Sequence, residues 1–438
     1  MSTHHLDVDD HSDGQRKVDV RGQMSSSGTA PALRPPPALF ILGLLVPASM
    51  LGTLTRIGIT SLFTFAHTPL DPPIIWAQII GCAVFGGALQ NKAYFEAIVL
   101  RLDHHPQAVG LQLGKALYTA LTSGYCGSVT TFSTWILDDY LAWANYDGVD
   151  RSGGKSFLAG IGQSFVTLIL SIASLRLGMK LAEEGEPFCM SWVIKILPAS
   201  LRLGASSTAE RSASLATFQA ETDLTPSSDH PDGTDIVNKK DSQRLAKYQL
   251  LYIATCVFAV GLLVMTSLLA ALYIPTRSIS VALALSPPGA MLRWYLSRIN
   301  GKSFKALPVI RRRSTRAGQS SPEAWPYGTF TANMLGVTIV GAAYTALHAS
   351  RTDAASTVPY SRVKCDVIYS GLEVGLAGCL STISTFAAEL YTLGAGLKTR
   401  QAAVLYAFAS WGWGLVLYAL LVAVPLQTLH RVDRCPAA

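Results

Sequence analysis

Two motifs of this 438-residue chain are the most informative about its fold: residues 124–135, GYCGSVTTFSTW, and residues 375–386, GLAGCLSTISTF. Each combines glycines with a dense run of Ser and Thr inside an apolar segment. The first such segment, 109–145, is too long for one simple membrane helix, which needs about 20 residues to cross a bilayer. Because Gly124 and Gly127 lie in its middle, we predict a broken helix there and a second one at its repeat.

The composition excludes an ordinary soluble protein. The chain is 50% hydrophobic and only 14% charged, whereas soluble domains carry about 25% charged residues. Apolar segments long enough to cross a membrane recur along it, and we predict an all-α polytopic membrane protein with about nine transmembrane helices. The predicted crossings are 38–66, 74–90, 109–145, 156–181, 249–273, 279–299, 326–348, 367–392 and 401–424.

Polar segments divide these crossings into units. Residues 1–37 are polar and end in three prolines, which predicts a disordered cytosolic tail. The stretch 182–248 is rich in Ser, Thr, Asp, Glu and Lys and is predicted to be a largely disordered cytosolic loop. The remaining predicted units are a four-helix repeat at 38–181, a linker helix at 249–273, a second four-helix repeat at 279–424, and a tail at 425–438.

Further echoes indicate that the two units are repeats. Residues 52–56 (GTLTR) are echoed by 289–293 (GAMLR), and residues 78–81 (QIIG) by 333–336 (NMLG). Four crossings are an even number, so two directly joined units would have the same orientation. The single crossing at 249–273 inverts the second unit. Inverted repeats are typical of transport proteins.

Basic residues predict the orientation. With the N-terminus in the cytosol and the C-terminus outside, the inner segments hold well over twice as many Lys and Arg as the outer ones, as the positive-inside rule requires. This topogenic role also explains the basic cluster at 311–316, which has no aromatic platform for nucleic acid. We predict a multi-pass protein of the cell membrane that contacts lipid but no nucleic acid.

The seven cysteines predict neither a disulfide framework nor a zinc site, because none forms a CxxC pair. Four of them lie within apolar runs and are predicted to be small buried hydrophobes; these are Cys82, Cys126, Cys256 and Cys379.

The hydroxyl runs allow two interpretations. Membrane Ser and Thr commonly hydrogen-bond within their own helix or hold helices together. Four hydroxyls in five residues, beside a glycine break and present twice, instead indicate donors that replace the hydration shell of an anion. These hydroxyls are Thr130, Thr131, Ser133 and Thr134, and Ser381, Thr382, Ser384 and Thr385. An aromatic ring adds a positive edge that attracts an anion without a fixed charge.

The motif at 124–135 resembles the signature of the CrcB/Fluc fluoride channels, and the tandem arrangement with a linker helix resembles their eukaryotic form, the FEX fluoride exporters. The likeness covers about 38–181 and 279–424. It implies two inverted four-helix units that form an antiparallel pair within a single chain, with fluoride passing between them and a structural sodium ion (Na+) at the centre.

The resemblance also implies roles for single residues. Backbone carbonyls of Gly127, Thr130, Gly378 and Ser381 would hold the sodium. Each pore would take two rings from opposite units, so that Phe132 pairs with Phe386 and Ile383 with Trp135. The pore asparagine corresponds to Gln78 and Asn333. Because Gln78, Trp135 and Ile383 depart from the pattern, we predict one complete pore with Phe132, Phe386 and Asn333, and one degenerate pathway.

Arg56 and Arg293 match the first-span arginine of that family. We expect them to concentrate anions in a vestibule or to secure helix ends, and a charge that reaches the membrane surface from a helix end is the alternative for Arg56.

The predicted function is passive, selective fluoride export that gives fluoride resistance. The alternative is a coupled fluoride/proton antiporter, working through Glu373 or Glu389, or another small-anion transporter of the same architecture. An enzyme is not expected: the sequence Asp103-His104-His105 has no partner cluster, and no phosphate-binding loop for ATP is present.

Overall fold

The protein is described here by a computed structural model that covers residues 33–34, 38–65, 70, 72–97, 100–101, 110–111, 113–146, 151–185, 233–300, 325–352, 358–395 and 400–435. Several predictions fall wholly or mainly outside these residues. They concern the disordered tail 1–37, most of the loop 182–248, the histidine pair at 104–105 and the basic cluster at 311–316.

The described residues form an almost entirely helical structure. Its first part contains α1 (Ala38–Leu62), α2 (Ile74–Gln90), α3 (Lys92–Ala97), α4 (Leu113–Thr119), a π-helix (Ala120–Cys126), α5 (Gly127–Val129), α6 (Phe132–Trp143) and α7 (Gly153–Glu184). Its second part contains α8 (Gly233–Leu272), a 3-10 helix (Ile274–Thr276), α9 (Arg277–Ser297), α10 (Tyr327–His348), α11 (Arg362–Cys365), a π-helix (Asp366–Ala377), α12 (Gly378–Leu380), α13 (Ile383–Ala395), α14 (Arg400–Tyr418), a π-helix (Ala419–Ala423) and α15 (Val424–Thr428).

Five two-residue strands complete the described elements. The strands β1 (Leu33–Arg34), β2 (Leu100–Arg101) and β3 (Gly110–Leu111) pair in the order β1-β3-β2. The strands β4 (Ala349–Ser350) and β5 (His430–Arg431) pair antiparallel.

Six of the described helical segments are long and apolar enough to cross a membrane. They are Ala38–Leu62, Gly153–Glu184, Gln249–Leu272, Tyr327–His348, Arg362–Ala395 and Arg400–Thr428, and each coincides with a predicted crossing. The other three predicted crossings are helical but differ in length, continuity or polarity. The helix α2 has 17 residues, the segment 109–145 is interrupted, and α9 contains Arg293 and two prolines. The chain is therefore a helical polytopic membrane protein.

The helix α8 begins earlier than the sequence predicts. The linker helix was expected from residue 249, but the helix starts at Gly233. The added residues, such as Lys239, Gln243 and Lys247, are polar but favour helix, so polarity alone gave the wrong structure for 233–248.

Small residues let the helices approach closely. A Cβ atom on Gly86 of α2 would collide with the backbone of Leu175, and one on Gly178 of α7 would collide with the backbone of Ala83. Close backbone approach at small residues is how membrane helices associate, because lipid removes the hydrophobic advantage of burial. This contact holds α2 and α7 together.

Equivalent glycines pack in equivalent ways in the two repeats. Gly52 of α1 lies against the backbone of Tyr125, and Gly289 of α9 lies against the backbone of Leu376. The sequence echo at 52–56 and 289–293 therefore marks the place where a first helix contacts the broken helix of its own unit.

The prediction of broken helices is confirmed, but each break lies after the glycines. Gly124 lies within a π-helix and Gly127 begins α5, whereas Thr130 and Thr131 are extended, with ψ of 146° and 128°. In the second unit Ser381 is extended, with ψ of 155°. The β-branched and hydroxyl residues leave the helix, while the glycines make room for neighbouring groups.

The cysteine pattern predicted no disulfide framework, but the described residues contain one disulfide that it did not predict. Cys365 and Cys435 are bonded, with a Cα–Cα distance of 5.8 Å. Their separation of 70 residues gives no local spacing from which the bond could be recognised. The cysteines within the apolar runs form no disulfide. Cys82, Cys126 and Cys379 are buried, as predicted, whereas Cys256 is only half-buried.

Candidate functional site

The two helix breaks meet at the centre of the protein. Thr130, Thr131, Ser381 and Thr382 are all 0% exposed, and α5 contacts α12 directly. Extended residues cannot give all of their backbone groups to a helix, and buried backbone groups in a membrane protein need other partners. The candidate site consists of the side chains that supply these hydrogen-bond partners.

A side-chain amide braces each break. Asn333 Oδ1 accepts from the backbone nitrogen of Thr382 at 2.8 Å, and Asn333 Nδ2 donates to the Thr382 carbonyl at 3.3 Å. Gln78 forms the same pair with Thr131, at 3.3 Å and 2.7 Å. The extra methylene of Gln78 therefore leaves its bracing contact intact. Gln78 and Asn333 make the same two hydrogen bonds, although in the sequence only Gln78 departs from the family pattern.

The hydroxyls bond across the two repeats in a crossed pattern. Thr130 Oγ1 lies 3.1 Å from the hydroxyls of both Thr382 and Ser384. Ser381 Oγ lies 3.1 Å from Thr131 Oγ1 and 2.8 Å from Ser133 Oγ. The first hydroxyl of each break thus joins the second and third hydroxyls of the other unit. These bonds hold the two breaks in register.

The remaining two predicted hydroxyls lie at the edge of this arrangement. Thr134 and Thr385 are half-buried. Thr134 Oγ1 lies 3.5 Å from Thr131 Oγ1 and also borders a cavity.

The predicted ring pair is brought together across the repeats. The rings of Phe132 and Phe386 meet edge to face, with centroids 5.5 Å apart and planes at 76°. Tyr406 packs 5.1 Å from Phe386, and Trp135 packs edge-on to Phe132 at 5.3 Å. All four rings are nearly or fully buried, so the positive edges of the pair lie inside the protein.

The residues of the predicted degenerate pathway are buried in the same cluster. Ile383 is 0% exposed and Trp135 is 1% exposed. Trp135 Nε1 has no hydrogen-bond partner among the described residues, whereas the hydroxyl of nearby Tyr418 donates to the Ser133 carbonyl at 2.8 Å.

Both first-span arginines are buried and cross to the other repeat. Arg56 and Arg293 are 4% and 3% exposed, which rules out a charge held at the membrane surface. Arg56 Nη2 donates to the Val374 carbonyl at 2.5 Å. Arg293 donates to the carbonyls of Ser123 and Gly127. Since these carbonyls lie at or beside the end of a π-helix, the arginines secure the ends of the broken segments.

Arg56 also borders a cavity. The cavity has a volume of about 400 Å³, and Thr134, Asp138 and Glu373 line it together with Arg56. Glu389, in contrast, accepts hydrogen bonds from Asn300, Thr329 and Tyr406. Nothing in the sequence pointed to Tyr406 or Asn300, because single polar residues near helix ends are common.

The residues expected to hold sodium are only partly free to do so. The carbonyl of Gly127 accepts from Arg293 Nη1 at 2.5 Å, and the carbonyl of Ser381 lies 3.4 Å from the same nitrogen. The four expected sodium ligands are Gly127, Thr130, Gly378 and Ser381. Two of them, Gly127 and Ser381, already face the guanidinium of Arg293. With Arg293 in this place, the Gly127 and Ser381 carbonyls are not free to bind a sodium ion.

Together, the paired breaks, the crossed contacts and the membrane-length helices define a polytopic membrane protein of the transport class. Comparison with known families identifies it further. The family described as "CrcB-like protein, Camphor Resistance (CrcB)" matches residues 44–179 and 280–422. The chain belongs to this family, in the tandem form found in eukaryotes.

Curated relatives agree with this assignment. The chain is 27% identical over 424 residues to fluoride export protein 1 of Neurospora crassa, a match that covers 88% of this chain and 66% of that protein. It is 34% identical over 136 residues to fluoride export protein 1 of Schizosaccharomyces pombe, covering 31% and 39%. It is 25% identical over 357 residues to fluoride export protein 1 of Candida albicans, covering 81% and 72%. No solved structure matches the chain.

Proposed function

We propose that this protein is a fluoride-selective channel that exports fluoride passively from the cytoplasm and so gives fluoride resistance. The observation that carries the proposal is the edge-to-face pair of Phe132 and Phe386, which joins the two repeats beside their helix breaks. The names of its relatives, which are fluoride export proteins, support fluoride as the ion.

The chemistry of the site suits a small, strongly hydrated anion. Fluoride must lose water in a narrow pore, so several donors have to replace its hydration shell. Ring edges supply weak positive potential, and the amide nitrogens of Asn333 and Gln78 supply donors. The helix α10, which carries Asn333, packs against α6, which carries Phe132. This contact supports a conducting pore with Phe132, Phe386 and Asn333, and a degenerate pathway with Gln78, Trp135 and Ile383.

In this proposal most of the hydroxyls hold other groups of the pore in place and do not bind the ion themselves. A Ser or Thr hydroxyl has one hydrogen to donate. Those at the breaks are already engaged across the repeats, so they fix the rings and amides in place. Thr134 and Thr385, which are half-buried, are the hydroxyls best placed to meet the ion itself.

Passive conduction is favoured over proton coupling by the setting of Glu389. A coupling carboxylate must take up and release protons during transport, but three donors hold Glu389 in place. Glu373, which borders the cavity beside Arg56, is the remaining candidate for a coupled antiporter. Fluoride efflux that follows the fluoride gradient alone, with equal pH on both sides, separates the two mechanisms.

The ring pair provides the experiment that tests the proposed pore. Replacing Phe132 or Phe386 with Ile removes a positive edge but keeps an apolar side chain, so we expect fluoride efflux to fall several-fold. An edge contact is worth about 0.5–1.5 kcal/mol. Efflux is measured per correctly folded protein, with Ile383→Val as the matched control. Normal efflux in both Phe variants, together with loss in the control, would show that the rings do not line the conducting pore.

The proposed layout is two inverted four-helix repeats, 38–181 and 279–424, joined by a linker helix at 249–273. A single chain would then form the whole channel as an internal pseudo-dimer. The crossed contacts of the two breaks and the two arginines support this relation. The segment Gln249–Leu272 is apolar but only 11% buried, as expected for a helix that faces lipid.

We further propose that the N-terminus is cytosolic and that the C-terminus lies outside the cell membrane. The disulfide between Cys365 and Cys435 supports this orientation independently of charge, because disulfides persist in oxidising compartments and are rare in the cytosol. Both cysteines belong to segments that the positive-inside rule also assigns to the outer face.

The disulfide gives a direct test of orientation. In intact cells treated with a membrane-impermeant reductant, we expect an impermeant maleimide to label the protein, because reduction releases two thiols on the outer face. A Cys365→Ser/Cys435→Ser double variant should lose this labelling, and Cys256→Ser should keep it. Labelling that requires permeabilised cells would place the C-terminus in the cytosol.

A further inference from the structure

The guanidinium group of Arg293 lies between the two helix breaks. Arg293 projects from α9 and is 3% exposed. Its Nη1 donates to the Gly127 carbonyl at 2.5 Å and lies 3.4 Å from the Ser381 carbonyl, while Nη2 donates to the Ser123 carbonyl. One side chain therefore contacts the backbone of both broken helices.

The surrounding chain is shaped to admit this group. A Cβ atom on Gly127 would occupy the position of the Arg293 guanidinium, so any larger residue at 127 would displace the cation. This requirement is separate from backbone flexibility, because Gly127 has helical dihedral angles.

The equivalent arginine lies against Gly378 in the same way but makes fewer hydrogen bonds among the described residues. Arg56 donates to the Val374 carbonyl, which corresponds to the bond from Arg293 to Ser123. Its guanidinium also lies close to Gly378. Among the described residues, however, Arg56 has no hydrogen bond to a carbonyl of either break. Of the two arginines, Arg293 is thus the one whose hydrogen bonds among the described residues reach carbonyls of both broken helices.

Backbone carbonyl oxygens compensate the positive charge of the Arg293 guanidinium. Among the described residues, no carboxylate forms an ion pair with Arg293. The partial negative charge of the carbonyls of Ser123, Gly127 and Ser381 compensates the guanidinium instead. A sodium ion bound to the Gly127 and Ser381 oxygens would be repelled by the guanidinium, which lies within a few ångströms of both.

We propose that the Arg293 guanidinium is the fixed cation that holds the two breaks together, in the position that the family resemblance gives to a sodium ion. The protein then needs no sodium for its assembly. This inference concerns the centre of the fold and rests on the proposed channel function only where efflux is measured.

The first test is the thermal stability of the purified protein without fluoride. We expect the same Tm in sodium chloride and in N-methyl-D-glucamine chloride, and the same efflux rate when N-methyl-D-glucamine replaces sodium. A wild-type Tm or efflux rate that falls when sodium is removed overturns the proposal. Because the Tm is measured without fluoride, failure here would leave the proposed function untouched.

The second test removes the charge. Arg293→Met should lower the Tm by several degrees, and sodium should raise it again, because the carbonyls of Gly127 and Ser381 are left without their cation. Arg56→Met is the matched control, and its Tm should not respond to sodium. An Arg293→Met Tm that ignores sodium, or a sodium response of equal size in Arg56→Met, counts against the proposal. If Arg293→Met does not fold, the wild-type comparison decides alone.

Discussion

Deleting residues 249–273 should abolish fluoride efflux completely. The physical reason is topological: without this single crossing, the second repeat would insert with the same orientation as the first, and the crossed contacts between Thr130, Ser381 and their partners could not form. The segment also packs against α1 and α9, where Ala259 contacts Val46 and Met50. Efflux from vesicles and the surface accessibility of a cysteine at position 352 are the measurements.

Two controls separate topology from packing. Replacing 249–273 with an unrelated apolar helix of the same length restores the inversion and should recover part of the efflux. Deleting 205–232, which lies in the polar loop, should leave most of it. Full efflux after deletion of 249–273, with position 352 still outside, would refute the inverted arrangement.

Replacing Asn333 with Ala should lower fluoride efflux at least tenfold. Asn333 Nδ2 has two hydrogens, and among the described residues only one is used, for the Thr382 carbonyl. The other can donate to an ion that is losing its water. A hydrogen bond to a charged group contributes about 1.5–3 kcal/mol, which corresponds to a tenfold or larger change in rate.

The matched variant is Gln78→Ala. Both substitutions remove the brace on a helix break, so we expect similar losses of thermal stability from the two. The efflux of folded protein should nevertheless fall much more for Asn333→Ala, because Asn333 is assigned to the complete pore. If Gln78→Ala stops efflux and Asn333→Ala does not, the assignment of the two pathways is reversed.

The sequence predicted the helical breaks because a glycine-rich, hydroxyl-rich motif is unusual within an apolar run and occurs twice. It placed the breaks at the glycines, which was wrong, because a glycine can adopt helical dihedral angles as readily as non-helical ones. In the structure, Gly127 is helical and makes room for Arg293, while Thr130 and Thr131 are extended. Which residue leaves a helix depends on its neighbours in space.

Contacts between distant segments were the least predictable part of the site. The pairing of Phe132 with Phe386 was expected only from the family resemblance. The crossed hydroxyl bonds were covered only by the general interpretation that Ser and Thr hold helices together, which named no partners. The burial of Arg293 against carbonyls of the other repeat also depends on how the repeats meet. The disulfide between Cys365 and Cys435 was missed for the same reason, because its partners come together only in the folded chain.

Passive, selective fluoride conduction is tested most directly by fluoride efflux from liposomes that contain the purified protein, with chloride as the comparison ion. At equal pH on both sides, we expect rapid fluoride efflux that follows the fluoride gradient and membrane potential, and no chloride efflux above that of empty liposomes. Chloride efflux as fast as that of fluoride, or fluoride efflux that occurs only with a proton gradient, would contradict a passive fluoride-selective channel.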